Sequence, residues 1–108
     1  MAINFTDLFN QLKDQIIKLA KDNFKDLAAE AASDGTTLLH KLEDNIKEYT
    51  QQLVQGEITK DDFKLLLLGN EDLIKMNALT QAGLLKAKTD AFKKSVFDAI
   101  INTVFAII

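Results

Sequence analysis

The chain contains no cysteine, no proline, no tryptophan and no arginine. Without cysteine it forms no disulfide, holds no metal on thiolate and has no thiol nucleophile. Without proline, nothing in it breaks a helix by ring geometry. Arginine is the side chain best suited to bidentate contact with phosphate and guanine. Here all 13 basic residues are lysine, set against 16 acidic ones, for a net charge of −3. That balance argues against a nucleic-acid partner.

Glycine is scarce too, with 4 residues far apart, so there is no Gly-rich phosphate loop. The single histidine, His40, has neither a second imidazole nor a thiolate to complete a metal site, and the chain has no Glu-x-x-His. The pairs Glu43-Asp44, Asp61-Asp62 and Glu71-Asp72 are sequence neighbours, and adjacent helix positions do not converge on one point. The expectation is therefore no catalytic residue, no cofactor and no metal.

No basic region followed by an apolar core opens the sequence, and no apolar run reaches the ~20 residues of a membrane span. The expectation is a cytoplasmic protein, with signal-less export as the alternative.

What is present is an ordinary folded composition: 108 residues, 47% hydrophobic and 27% charged. A single domain of this length buries about 65% of the surface its unfolded chain exposes. One domain spanning 1–108 is expected.

Nearly every segment reads as helix. Asn4 caps a first helix, with Asp7 three residues on and Ile3 and Leu8 placed as a hydrophobic staple. This helix is expected to run to about Ser33. In "SDGTT", residues 33–37, Gly35 suits a left-handed C-cap, and Thr36 or Thr37 can cap a second helix from about Leu38 to Gln55.

"QGEITKDDF", residues 55–63, resembles the back half of an EF-hand. With Gly56 at loop position six, the first three ligand positions fall on Gln51, Leu53 and Gln55, which cannot hold calcium. A helix stop and start explains the stretch instead. Gly56 closes one helix, Thr59 caps the next with Asp62 in the capping-box position, and Ile58 and Phe63 flank the cap. Beyond it the helical pattern continues to the end, weakened only at Gly69-Asn70 and Gly83, and Asn70 is a candidate cap.

One period covers the chain. Apolar pairs four apart recur every eleven residues: Phe5 and Phe9, Ile16 and Ala20, Leu27 and Ala31, Leu38 and Leu42, Tyr49 and Leu53. The second half repeats it with Phe63 and Leu67, Ile74 and Ala78, Leu85 and Thr89, Val96 and Ile100, then Ile107. Eleven residues make almost three helical turns, so one face stays aligned along a straight rod. Exchangeable lipid-surface helices use such periods, and so does any long helix buried on one side.

The expected fold is all-α: an antiparallel helical hairpin or up-down bundle turning at Gly56. Uninterrupted arms would each be ~75 Å long. Breaks at Gly35 and Gly69 would fold them into a shorter four-helix bundle. In size and hairpin pattern the chain resembles the small secreted WXG-type proteins in architecture alone. Their Trp-x-Gly turn is represented by Val54-Gln55-Gly56, without the tryptophan, and family membership is not implied.

The end of the chain, "SVFDAIINTVFAII", is apolar almost all round, with Ser95, Asp98 and Asn102 as a narrow polar strip. Such a helix belongs inside a bundle, between subunits or in a membrane. Val96, Phe97, Ile100, Ile101, Val104, Phe105 and Ile108 are the expected anchors of the core or of a subunit contact. Lys86, Lys88, Lys93 and Lys94 precede them, a basic flank of the kind that membrane-surface binders carry.

The sequence thus points to a non-enzymatic helical protein that self-associates, most simply as a homo-oligomer, or that contacts another protein. Reversible membrane-surface binding through the terminal helix is the alternative. An enzyme or small-molecule carrier is a third reading, without support in the residue inventory.

Overall fold

The structure, a computed structural model, describes residues 3–108. It is an all-α bundle built around one apolar core. α1 (Phe5–Asn23) starts where Asn4 Oδ1 accepts from the Asp7 amide at 3.2 Å. It buries Leu8, Leu12, Ile16 and Ala20, one residue per turn on a single stripe.

The first helix ends ten residues before the expected Ser33. Phe24 turns to extended backbone and its ring meets the edge of Phe92 at 5.2 Å between centroids. The Asn23 side-chain amide donates to the Leu19 carbonyl at 2.8 Å, closing the helix end. The chain thus turns at an aromatic packed against the core, where neither glycine nor proline marks a turn.

The expected break at Gly35 does not occur. Gly35 lies buried inside α2 (Ala28–Lys41), and a Cβ there would collide with Ile16 Cγ2. Its role is to let α1 and α2 approach closely. Thr36 is no cap either; its hydroxyl donates back to the Ala32 carbonyl at 2.8 Å. α2 bends at Leu42, where φ is −97° and ψ 2°, and continues as α3 (Glu43–Val54).

The turn at Gly56 is as expected. Gly56 takes φ +77°, its amide donates to the Leu53 carbonyl at 3.2 Å, and the Glu57 amide to that of Gln52 at 2.8 Å. These two bonds form a Schellman stop. Thr59 then opens α4 (Lys60–Leu68) with a complete capping box. The Asp62 amide donates to Thr59 Oγ1 at 3.1 Å, and the Thr59 amide to Asp62 Oδ2 at 3.0 Å.

The helix does break at Gly69-Asn70, but Asn70 caps nothing that follows. Its side chain donates back to the Leu66 carbonyl at 3.1 Å. A strap of a single 3-10 turn (Glu71–Leu73), α5 (Asn77–Gln81) and a second Schellman stop at Gly83 leads to α6 (Lys86–Ile107).

Side-chain contacts give the directions. Lys47 sits over the Phe9 ring and Gly35 against Ile16, so α1 and the bent α2–α3 rod run antiparallel. Phe92 meets Phe24, and the Thr103 hydroxyl donates to Gln15 Oε1 at 2.9 Å, so α6 also runs against α1. Phe63 at the start of α4 stacks obliquely on Phe105 near the end of α6, 5.6 Å between centroids. The long two-arm rod is therefore replaced by a folded bundle of 43 × 24 × 18 Å.

A candidate contact surface

α6 packs its apolar face into the bundle and leaves its polar face in solvent. Val96, Phe97, Ile100, Ile101 and Val104 are buried, Phe105 is half-buried against the core, and Ile108 stands partly exposed at the rim. The expected anchors are thus drawn together in this chain's own core. Two adjoining stripes achieve this: Thr89, Phe92, Val96, Ile100 and Thr103 on one line, Phe97, Ile101 and Val104 on the next. The wide apolar face serves a helix in contact with α1, α4 and α5.

The four lysines ahead of it divide. Lys86 and Lys93 line a cleft between the strap and α6, while Lys88 lines a separate groove with Asn23 and Phe24. Lys93 is half-buried, and its ammonium donates to the carbonyls of Glu71 at 3.0 Å and Ile74 at 3.1 Å. From α2, the buried Asp34 carboxylate accepts from the Ala78 and Leu79 amides at 2.9 and 2.8 Å. Two charged side chains of the bundle thus hold the strap by its backbone, and Ile74, Met76 and Leu79 plug the core beneath.

The cleft encloses about 560 Å³. Glu71, Asp72 and Asp90 face Lys75, Lys86 and Lys93 around its lining, so its charges balance. His40 is 85% exposed with Nδ1 3.7 Å from a Glu43 carboxylate oxygen, and Lys47 reaches the other oxygen at 3.4 Å. Both are surface contacts of small energetic weight. Among the described residues no group of three or more histidine, aspartate or glutamate side chains could hold a metal. Among the described residues no helix is long and apolar enough to cross a membrane.

The open apolar surface lies on α4. Phe63 and Leu67 face the core, while Leu65, Leu66 and Leu68 remain 72%, 40% and 36% exposed, and Leu73 just beyond is 74% exposed. Summed, these leucines leave on the order of 400 Å² of surface exposed on α4 and the turn after it. Sequence reasoning missed this ridge, although the signal was present. Four consecutive leucines, Leu65 to Leu68, spread around the whole helix circumference at 100° per residue, and a helix packed on one side cannot bury all of them.

The ridge is positioned by the ends of its helix. The capping box fixes the first turn, and its hydrogen bonds from Thr59 hold the Asp62 carboxyl below the ordinary aspartate range. Lys60 lies over the Phe105 ring, 5.2 Å from its centroid, and ties that turn to α6. Comparison with family models, with curated proteins and with solved structures finds no match to this chain.

Proposed function

We propose that this is a non-enzymatic helical interaction protein, and that its working surface is the leucine ridge of α4 and the turn after it. The observation that carries the reading is the exposure of Leu65, Leu66, Leu68 and Leu73 on a bundle whose terminal helix already packs its apolar face inward. Apolar surface in water is unfavourable, and a contact that takes leucine out of water gains free energy. The balanced charges of the cleft and the solvent position of His40 support contact, rather than chemistry, as the mode of action.

The second reading is association with a membrane surface. It is favoured by the exposure of Leu85 beside Lys86 and Lys88, with Lys94 also exposed. The ridge reading is tested by replacing Leu65 and Leu73 together with lysine. The variant is compared with the wild type in a concentration series of solution mass and in flotation with phosphatidylcholine vesicles. A difference in either assay, with helicity and melting temperature unchanged, supports the ridge. Identical behaviour in both overturns it.

A further inference from the structure

We infer that the strap, residues 70–84, is a lid that opens as one unit while the helices around it stay folded, and that Asp34 and Lys93 are its two latches.

The strap does not hold its own shape. Its regular pieces are the three-residue turn Glu71–Leu73 and the five-residue α5. Isolated helices shorter than about 12 residues are marginal in water, and neither piece has a side-chain cap of its own. The caps come from other helices. Ala78 and Leu79 are the second and third residues of α5, where a capping side chain normally accepts from the backbone. Asp34 of α2 accepts from both amides, one on each carboxylate oxygen, across 44 and 45 positions of sequence. At the other piece, Lys93 of α6 donates to the Glu71 and Ile74 carbonyls, a cation at a carbonyl end. The strap is therefore ordered by docking, and undocking removes both caps together.

Packing adds little to these bonds. Between 70 and 84 only Ile74, Met76 and Leu79 are buried. Between the strap and α6, the cleft of about 560 Å³ stands where side chains would otherwise pack. A segment with so few buried apolar residues opens more readily than the core. The contacts that join the remaining helices involve no residue of the strap: Phe24 with Phe92, Gln15 with Thr103, and Phe63 with Phe105. Opening withdraws Ile74, Met76 and Leu79 from the core and leaves those contacts in place. It bares an apolar seat against α2 and α6, the helices on which α5 rests.

Amide exchange of the full chain, followed in a series of urea concentrations below the unfolding transition, tests this. In the wild type, Ile74 and Leu79 are expected to share one opening, about tenfold or more frequent than that of Phe97 and Ile101 inside α6. Lys93→Met keeps most of the apolar stem and removes the ammonium. It is expected to speed exchange about tenfold at Ile74 and by the same factor at Leu79, whose amide bonds Asp34 rather than Lys93. Asp34→Ala, a favourable residue inside α2, is expected to act equally on Leu79 and, at a distance, on Ile74. Lys94→Met, at the exposed neighbour of Lys93, should change neither.

A local hydrogen bond alone would move only the amides beside it. If each variant acts only next to its own bond, the two latches do not hold one lid. If Ile74 and Leu79 exchange only together with α6, the strap does not open apart from the bundle. Either result overturns the inference.

Discussion

α4 and α6 are held by opposite means. α6 has 22 residues and no side-chain cap at its start, and eight of its residues are buried. Packing along its length keeps it in place. α4 has 9 residues, buries only Phe63 and Leu67, and carries the complete capping box. Its ends keep it in place, which leaves its outer face free. Apolar content alone therefore says little about location. The longer apolar stretch closes the core, and the shorter run of leucines faces outward. A helix fixed by its caps can present a hydrophobic face without depending on that face for its own stability.

The largest effects should separate the two helices. Phe97 is fully buried, so Phe97→Ala is expected to cost about 3–5 kcal/mol by leaving a cavity. Leu65→Lys is expected to stay within about 0.5 kcal/mol in the monomer, as an exposed substitution does. Urea denaturation of both at low concentration checks the contrast. Comparable losses would mean that α4 contributes to the fold through its outer face.

The strap joining the helices comes next. Asp34→Ala leaves the amides of Ala78 and Leu79 without their acceptor and is expected to cost about 1–3 kcal/mol. Amide exchange should quicken at Ala78 and Leu79 before the amides of α6 respond. Uniform loss of protection would show that strap and bundle open as one unit.

A smaller loss is expected at the floor on which α6 rests. A Cβ at Gly35 would meet Ile16 Cγ2 and come within 3.7 Å of Phe92 Cζ. Gly35→Ala gains about 1 kcal/mol of helix propensity, but crowding a packed core with stiff, branched Ile16 costs about 1–3 kcal/mol. A net loss of about 1 kcal/mol in thermal or urea unfolding is expected. A gain would mean that α1 can shift away from α2 without disturbing α6.

Gly35 also shows where the sequence was legible. A glycine beside serine, aspartate and threonine reads locally as a helix stop, and only the shape of α1 reveals it as a notch for Ile16. Asp34 reads as a turn residue, yet its partners lie 44 and 45 positions away. Both capping motifs at Asn4 and Thr59 were readable because their hydrogen bonds span three residues.

The eleven-residue period located half of the buried apolar residues and Thr89, its one polar member, but it also took in Leu85, which stands exposed. It did not reveal the reversal at Phe24, because a repeat of apolar faces keeps its phase whether the next helix continues a rod or folds back along it. The leucine ridge was missed for a related reason. Periodicity asks which residues face inward, and the ridge consists of those left over.

The smallest effect sharpens the comparison at the cap itself. Thr59 holds the Asp62 carboxyl below its ordinary value, so the ionised form is favoured in the folded state. Its contribution is complete above the unfolded aspartate value of about 4 and is lost as pH falls through the lower folded value. In Asp62→Asn the amide oxygen can accept from the Thr59 amide at any pH. The stability difference between wild type and variant should therefore be flat from neutral pH to about 5 and move against the wild type below that. Chemical shifts of the first α4 amides should follow the same curve, while those of the interior of α6 should not. A difference unchanged down to about pH 2.5, or equal shifts in both helices, would mean that α4 is held by Phe63 and Leu67 rather than by its cap.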